Sequence, residues 1–201
     1  MITKGEWSLI VFNLFYILGF TFYYAVQRNY EFMLYIGVLV VLFALVLFLQ
    51  RRVKFSSTIL WMLSICGLLH MMGGGVHFPA DTVLYRWVPI EMYNAHDPAG
   101  EFVILKFDQI LHFYVYFVLS FVFAHLLGRL MVTTVRPLYL FFFVVLASMG
   151  ASVINELIEF GAVVYMGKTG VGGYYNTLLD LCFNTLGAVV GGILALKLKS
   201  H

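Results

Sequence analysis

The sequence predicts an all-α fold: a polytopic integral membrane helical bundle of about six transmembrane helices with both termini cytoplasmic. Three observations lead there. Hydrophobic residues make up 62% of the 201-residue chain and charged ones 11%, with a mean hydropathy of +0.94, whereas a soluble domain carries roughly 25% charge. The apolar residues run in six stretches of about the 20 residues needed to cross bilayer hydrocarbon. Lys and Arg fall unequally on the two sides that six crossings create. A water-soluble fold is excluded, and residues 1–201 read as a single transmembrane domain. The net charge of +2 is scattered, so no nucleic-acid-binding face is present.

The predicted spans are 7–26, 32–49, 58–72, 102–130, 138–165 and 174–196. The first is expected to be retained, because Phe22 to Val26 are too bulky for a signal cleavage site. The fourth and fifth are long enough to tilt or to protrude from the bilayer. Between spans three and four lies the one long connection, 73–101; Gly73, Gly74, Gly75, Pro79, Pro89 and Pro98 predict a structured extracytoplasmic loop with a partly re-entrant path or a short interfacial helix. Lys4, Arg51, Arg52, Lys54, Arg129, Arg136, Lys197 and Lys199 share one side, and Arg28, Arg86, Lys106 and Lys168 the other, so the cation-rich side is expected to be cytoplasmic. Tyr23, Tyr24, Tyr30, Trp87, Tyr139, Tyr174 and Tyr175 stand near span ends, as interfacial aromatics do. Cys66 and Cys182 sit in apolar sequence as small hydrophobes.

Four acids interrupt apolar helix: Asp108, Glu156, Glu159 and Asp180. A charge at mid-bilayer costs about 2.5 to 3.5 kcal/mol on insertion scales, so something must offset each of them. Counted from the predicted span ends, they share one depth with His70, His112 and Asn184, near the extracytoplasmic side. Asp108 and His112 are spaced i,i+4, Glu156 and Glu159 i,i+3, and Asp180 and Asn184 i,i+4, so each pair occupies one stripe of its helix. Carboxylates and imidazole on facing helices are the donor set that helical bundles use for metal. Carboxylates meeting in a low-dielectric pocket require protons, basic partners or a divalent cation.

The candidate metal ligands are therefore His70, His77, Asp108, His112, Glu156, Glu159 and Asp180. Asp108, His112, Glu156 and Glu159 are the candidate catalytic groups, and Asn184, Asn155 and Lys168 the candidate substrate-binding ones. The expected cofactor is a divalent metal ion, Zn, Fe, Mn or Mg. Each polar residue taken singly also fits a hydrogen-bond network that holds helices together. Gly167-Lys168-Thr169 resembles the end of a P-loop, but Ala162 stands where that motif needs glycine, and nucleotide binding is set aside. Gly187 and Gly191 form a Gly-x-x-x-Gly expected to serve close helix packing.

Phe107-Asp108-Gln109-Ile110-Leu111-His112-Phe113, Asn155-Glu156-Leu157-Ile158-Glu159-Phe160 and Asp180 with Asn184 and Gly187 resemble the VanZ-like membrane proteins and the related YjdF-like inner-membrane proteins. The stretch from Leu69-His70 to Pro79 is similar to the YjdF side. Gln109 and Glu159 depart from the Lys and Gln common at those positions in VanZ-like sequences. The resemblance implies a small multispanning protein in the cytoplasmic membrane of a prokaryote and, for VanZ itself, a link to teicoplanin resistance; it implies no established reaction.

Three functions are open. The first is a membrane-embedded, metal-dependent enzyme, a hydrolase or transferase, acting on a lipid or polyprenyl-linked envelope substrate. The second is a non-enzymatic binder or carrier of a cation, a proton or a lipid headgroup. The third is a structural partner subunit of a membrane complex. Below the cluster, Phe113 to Ala124 and Leu138 to Val145 are almost wholly apolar, which predicts a blind pocket and favours chemistry or binding over transport. The expected partner is a membrane lipid or lipid-linked substrate, with no nucleic acid; a homo-oligomer is open.

Overall fold

A computed structural model describes residues 4–78, 81–94, 102–131 and 135–199. It is all-helical apart from short elements in the long connection. Six helices are long and apolar enough to cross a membrane: α1 (Lys4–Gln27), α2 (Tyr30–Val53), α3 (Ser57–Gly75), α4 (Phe107–Leu130), α5 (Pro137–Met166) and α6 (Tyr174–Lys199). Two compact units contain them, residues 1–85 with α1 to α3 and residues 86–201 with α4 to α6.

Local chemistry explains the turns. After α1, Arg28 takes a left-handed conformation (φ 53°) and Asn29 caps α2 by accepting the Phe32 N–H at 3.1 Å. Lys54, also left-handed (φ 54°), closes α2, and Ser56 caps α3 by accepting the Ile59 N–H. Pro137 opens α5, where its missing N–H is harmless, and Gly167 (φ 69°) ends it. The fourth helix begins five residues later than predicted. Val103–Ile104 forms a strand (β2) paired antiparallel with Tyr93–Asn94 (β1), because this β-branched pair finds a partner strand before the helix starts. A single 3-10 turn, Leu84–Arg86, is the helical structure described elsewhere in that connection.

The first unit packs α1 against α3 through phenols and glycines. The Tyr24 hydroxyl donates to the Met71 carbonyl, and Tyr24 is fully buried, so its place is the interior and not the membrane interface expected for it. Phe32 lies against Gly74 and Tyr85 against Gly73, where a Cβ would overlap each ring. Asn13 Nδ2 donates to Ser64 Oγ at 2.8 Å and to the Leu9 carbonyl at 2.7 Å, tying α1 to α3.

In the second unit α4 packs chiefly on α6, with α5 against both. Gly187 and Gly191 lie against the main chain of α4: a Cβ at either would overlap the carbonyl oxygen of Phe113 or Phe117. That is the close approach expected of the Gly-x-x-x-Gly. The lipid-facing side of α5 is apolar and exposed at Phe142, Leu146, Val153, Leu157, Phe160 and Val164, as a helix whose solvent is hydrocarbon requires.

Candidate metal centre

The first turns of α4 carry Asp108 and His112. Their position is set by Gln109, wholly buried between them, whose Nε2 donates to the Val103 carbonyl at 2.9 Å and whose Oε1 accepts the Lys106 N–H at 3.1 Å. The β2 strand and the start of α4 are thereby locked together. Asp180 and Asn184 come from α6, both 1% exposed, and Glu156 and Glu159 from the latter half of α5.

His112 is the hub. Its Nε2 stands 3.6 Å from Asp108 Oδ1 and its Nδ1 3.8 Å from Glu156 Oε1. Nδ1 also lies 2.9 Å from Asn184 Oδ1. Asn184 turns its Nδ2 the other way, to Ser152 Oγ at 2.7 Å and Glu156 Oε1 at 3.4 Å. On the other flank Asn176 Nδ2 donates to Asp180 Oδ2 at 2.6 Å and reaches Asp108 Oδ2 at 3.4 Å, while Lys106 Nζ approaches Asn176 Oδ1 at 3.4 Å. Asn155 Nδ2 donates to Glu159 Oε1 at 2.8 Å.

Two sets of donor atoms result. Asp108, His112 and Asp180 each offer one atom within 4.8 Å of the others, and so do His112, Glu156 and Glu159. Within the first set Asp180 Oδ1 is buried and has no hydrogen-bond partner among the described residues. A buried acceptor left unmade costs about 1–3 kcal/mol, and more when it belongs to a carboxylate, so this oxygen is the group of the cluster that still calls for a donor or a cation.

His70, on α3 in the first unit, holds its Nδ1 2.6 Å from the Tyr85 hydroxyl beside the rings of Phe32 and Tyr35, and belongs to neither donor set. His77 is exposed, in a bridge with Val83. Lys168 is exposed after the end of α5; the lysine whose ammonium joins the network is Lys106. Asn155 contacts Glu159 as a neighbour on the same helix.

Sequence reasoning missed Asn176, Ser152 and Ser148. The signal was available as a continued stripe: Asn176 precedes Asp180 by four, and Ser152 and Ser148 precede Glu156 by four and eight. Deeper in the unit Ser148 Oγ and Ser120 Oγ lie 2.9 Å apart, and Ser120 also reaches the Ala188 carbonyl at 3.0 Å. Beneath them Ala124, Val144 and Ala195 pack into an apolar layer, so the polar column is closed at its lower end.

Residues 8–201 match one family over nearly the whole chain. The chain belongs to the family described as Predicted membrane protein (DUF2238). That makes it a membrane protein by descent as well as by composition. No curated protein and no solved structure matches it.

Proposed function

We propose that the second unit holds a divalent metal ion among Asp108, His112, Asp180, Glu156 and Glu159 and uses it in a hydrolase or transferase reaction on a lipid or polyprenyl-linked envelope substrate. The observation that carries the reading is a buried Asp180 whose Oδ1 has no hydrogen-bond partner among the described residues, in a carboxylate that offers a donor atom within 4.8 Å of donor atoms of Asp108 and His112 on another helix. A bound cation supplies Lewis acidity toward a phosphoryl or acyl oxygen. The chain's own groups would have distinct tasks: a carboxylate not engaged by the ion would take the proton of the attacking water or alcohol as its oxygen bonds to the phosphoryl or acyl centre and would return it to the departing oxygen, and Lys106, whose Nζ is 3.4 Å from Asn176 Oδ1, would supply positive charge to an anionic headgroup. The resemblance of the three helix motifs to VanZ-like and YjdF-like proteins supports a substrate of the cell envelope. The apolar layer beneath Ser120 and Ser148 supports a pocket in preference to a path.

A second reading, a carrier or binder of a cation or proton, draws support from the serine pair, which extends the polar column two turns below His112. Elemental analysis of detergent-purified protein, followed by incubation with a bacterial lipid extract, separates the two. The enzyme reading expects a stoichiometric divalent metal in the wild type, its loss in Asp108→Asn, and a chelator-sensitive change in the extract. Bound metal with no lipid change turns the assignment to the carrier; no metal removes both metal readings.

A further inference from the structure

We infer that the ion is taken by Asp108, Asp180 and the Nε2 of His112, and that Asn184 is the positioning residue that selects this face of the imidazole. This rests on the reading of the second unit as a divalent-cation centre and decides between its two donor sets.

The argument starts at the Asn184 amide. Its Nδ2 faces two acceptors, Ser152 Oγ at 2.7 Å and Glu156 Oε1 at 3.4 Å, which fixes its Oδ1 toward His112. Turning the amide over would set its carbonyl oxygen against the Glu156 carboxylate. An Oδ1 that is 2.9 Å from Nδ1 can only accept, so Nδ1 carries the hydrogen. The neutral ring then has one lone pair left, on Nε2. It points to the flank where Asp108 Oδ1 stands 3.6 Å away, and Asn176 Nδ2 ties the Asp180 carboxylate to that same Asp108, at 2.6 Å and 3.4 Å.

Three acceptors facing one another need a shared proton or a cation. A proton on Nε2 would not serve: 3.6 Å is too long for a hydrogen bond, and Asp180 Oδ1 would still lack a partner. A metal ion does serve, since two donors each about 2.1 Å from a tetrahedral ion lie about 3.4 Å apart. The Nδ1–H held by a side-chain oxygen is also the arrangement by which proteins orient a metal-bound histidine. Glu156 and Glu159 are left outside the coordination sphere, one on the Nδ1 edge of His112 and the other held by Asn155. A single imidazole with two carboxylates suits Zn, Fe(II) or Mn, with open positions for water or substrate.

The test uses full-length protein in detergent, stripped with chelator and reloaded with Zn²⁺ alone. Long-range proton–nitrogen correlation on protein labelled with ¹⁵N-histidine, with the His112 signals identified by their loss in His112→Asn, is expected to show Nδ1 protonated and Nε2 metal-bound. Zn²⁺ titration is expected to give one ion per chain in the wild type and in the Glu156→Gln, Glu159→Gln double variant. Asn184→Leu should weaken Zn²⁺ affinity by roughly 10–100-fold, and Asn184→Asp made together with Glu156→Gln, which keeps an acceptor for Nδ1–H and faces its other oxygen to an amide, should restore it. Metal on Nδ1, two ions per chain, or loss of binding in the Glu double variant would overturn the assignment while leaving the metal reading standing. A wild type that takes up no Zn²⁺ would remove that reading itself.

Discussion

The two units are built from the same kind of apolar helix yet fill their interiors differently. In the first, large aromatic side chains meet glycines, with Phe32 on Gly74 and Tyr85 on Gly73, and buried hydroxyls donate to backbone carbonyls, as Tyr24 does to Met71. In the second, glycines meet backbone at Phe113 and Phe117, and the space above is given to acids, amides and an imidazole. Among the described residues of the first, no buried side-chain nitrogen or oxygen is left without a hydrogen-bond partner. The second leaves a carboxylate oxygen without a partner. A membrane protein has no hydrophobic force to pull helices together in lipid, so packing and hydrogen bonds must hold both units; the difference lies in what each interior leaves undone.

The contrast is broken most severely at Gly187. Gly187→Leu forces α4 and α6 apart at the Phe113 carbonyl, with an expected loss of about 3 kcal/mol or more, read as a lowered unfolding midpoint in detergent; a midpoint near the wild-type value would mean that the backbones are not in contact. Next is Asp180→Asn. An amide keeps an acceptor for Asn176, removes the buried charge and can donate from the position of the orphan oxygen, so the ion-free protein is expected to gain roughly 1–3 kcal/mol. The same variant should lose any rise in midpoint on adding Zn²⁺. Destabilisation of the ion-free protein would show that Asp180 serves the fold alone. The smallest effect belongs to the first unit: Tyr24→Phe removes one neutral hydrogen bond, an expected loss of about 1 kcal/mol, with metal content unchanged.

Much of this organisation could be read before the structure. The six spans follow from apolar length alone, and their bounds differ by a few residues except at α4. There Phe102 to Leu105 read as part of the apolar run, and hydropathy does not distinguish a strand that finds a partner from the first turn of a helix. The acids of the site stood out because a charge in hydrocarbon has a large cost, so Asp108, Glu156, Glu159 and Asp180 demanded an account. Asn176, Ser148 and Ser152 are neutral, carry no such cost and blended into their helices, although two of them orient the groups around His112. The histidines outside α4 were less legible. Depth along the chain grouped His70 with the acids, and depth does not name a side chain's partners; within the first unit His70 Nδ1 meets the Tyr85 hydroxyl at 2.6 Å.

The seat of Gly187 and Gly191 on the α4 main chain has a further result. Because it runs from Phe113, the residue after His112, to Phe117, the gap between the two helices that carry Asp108, His112 and Asp180 is gauged by atoms that no substitution elsewhere can resize. The greasy outer surface is thus at liberty to drift with the composition of its bilayer, while the interval between the helices that bear Asp108, His112 and Asp180 keeps its width.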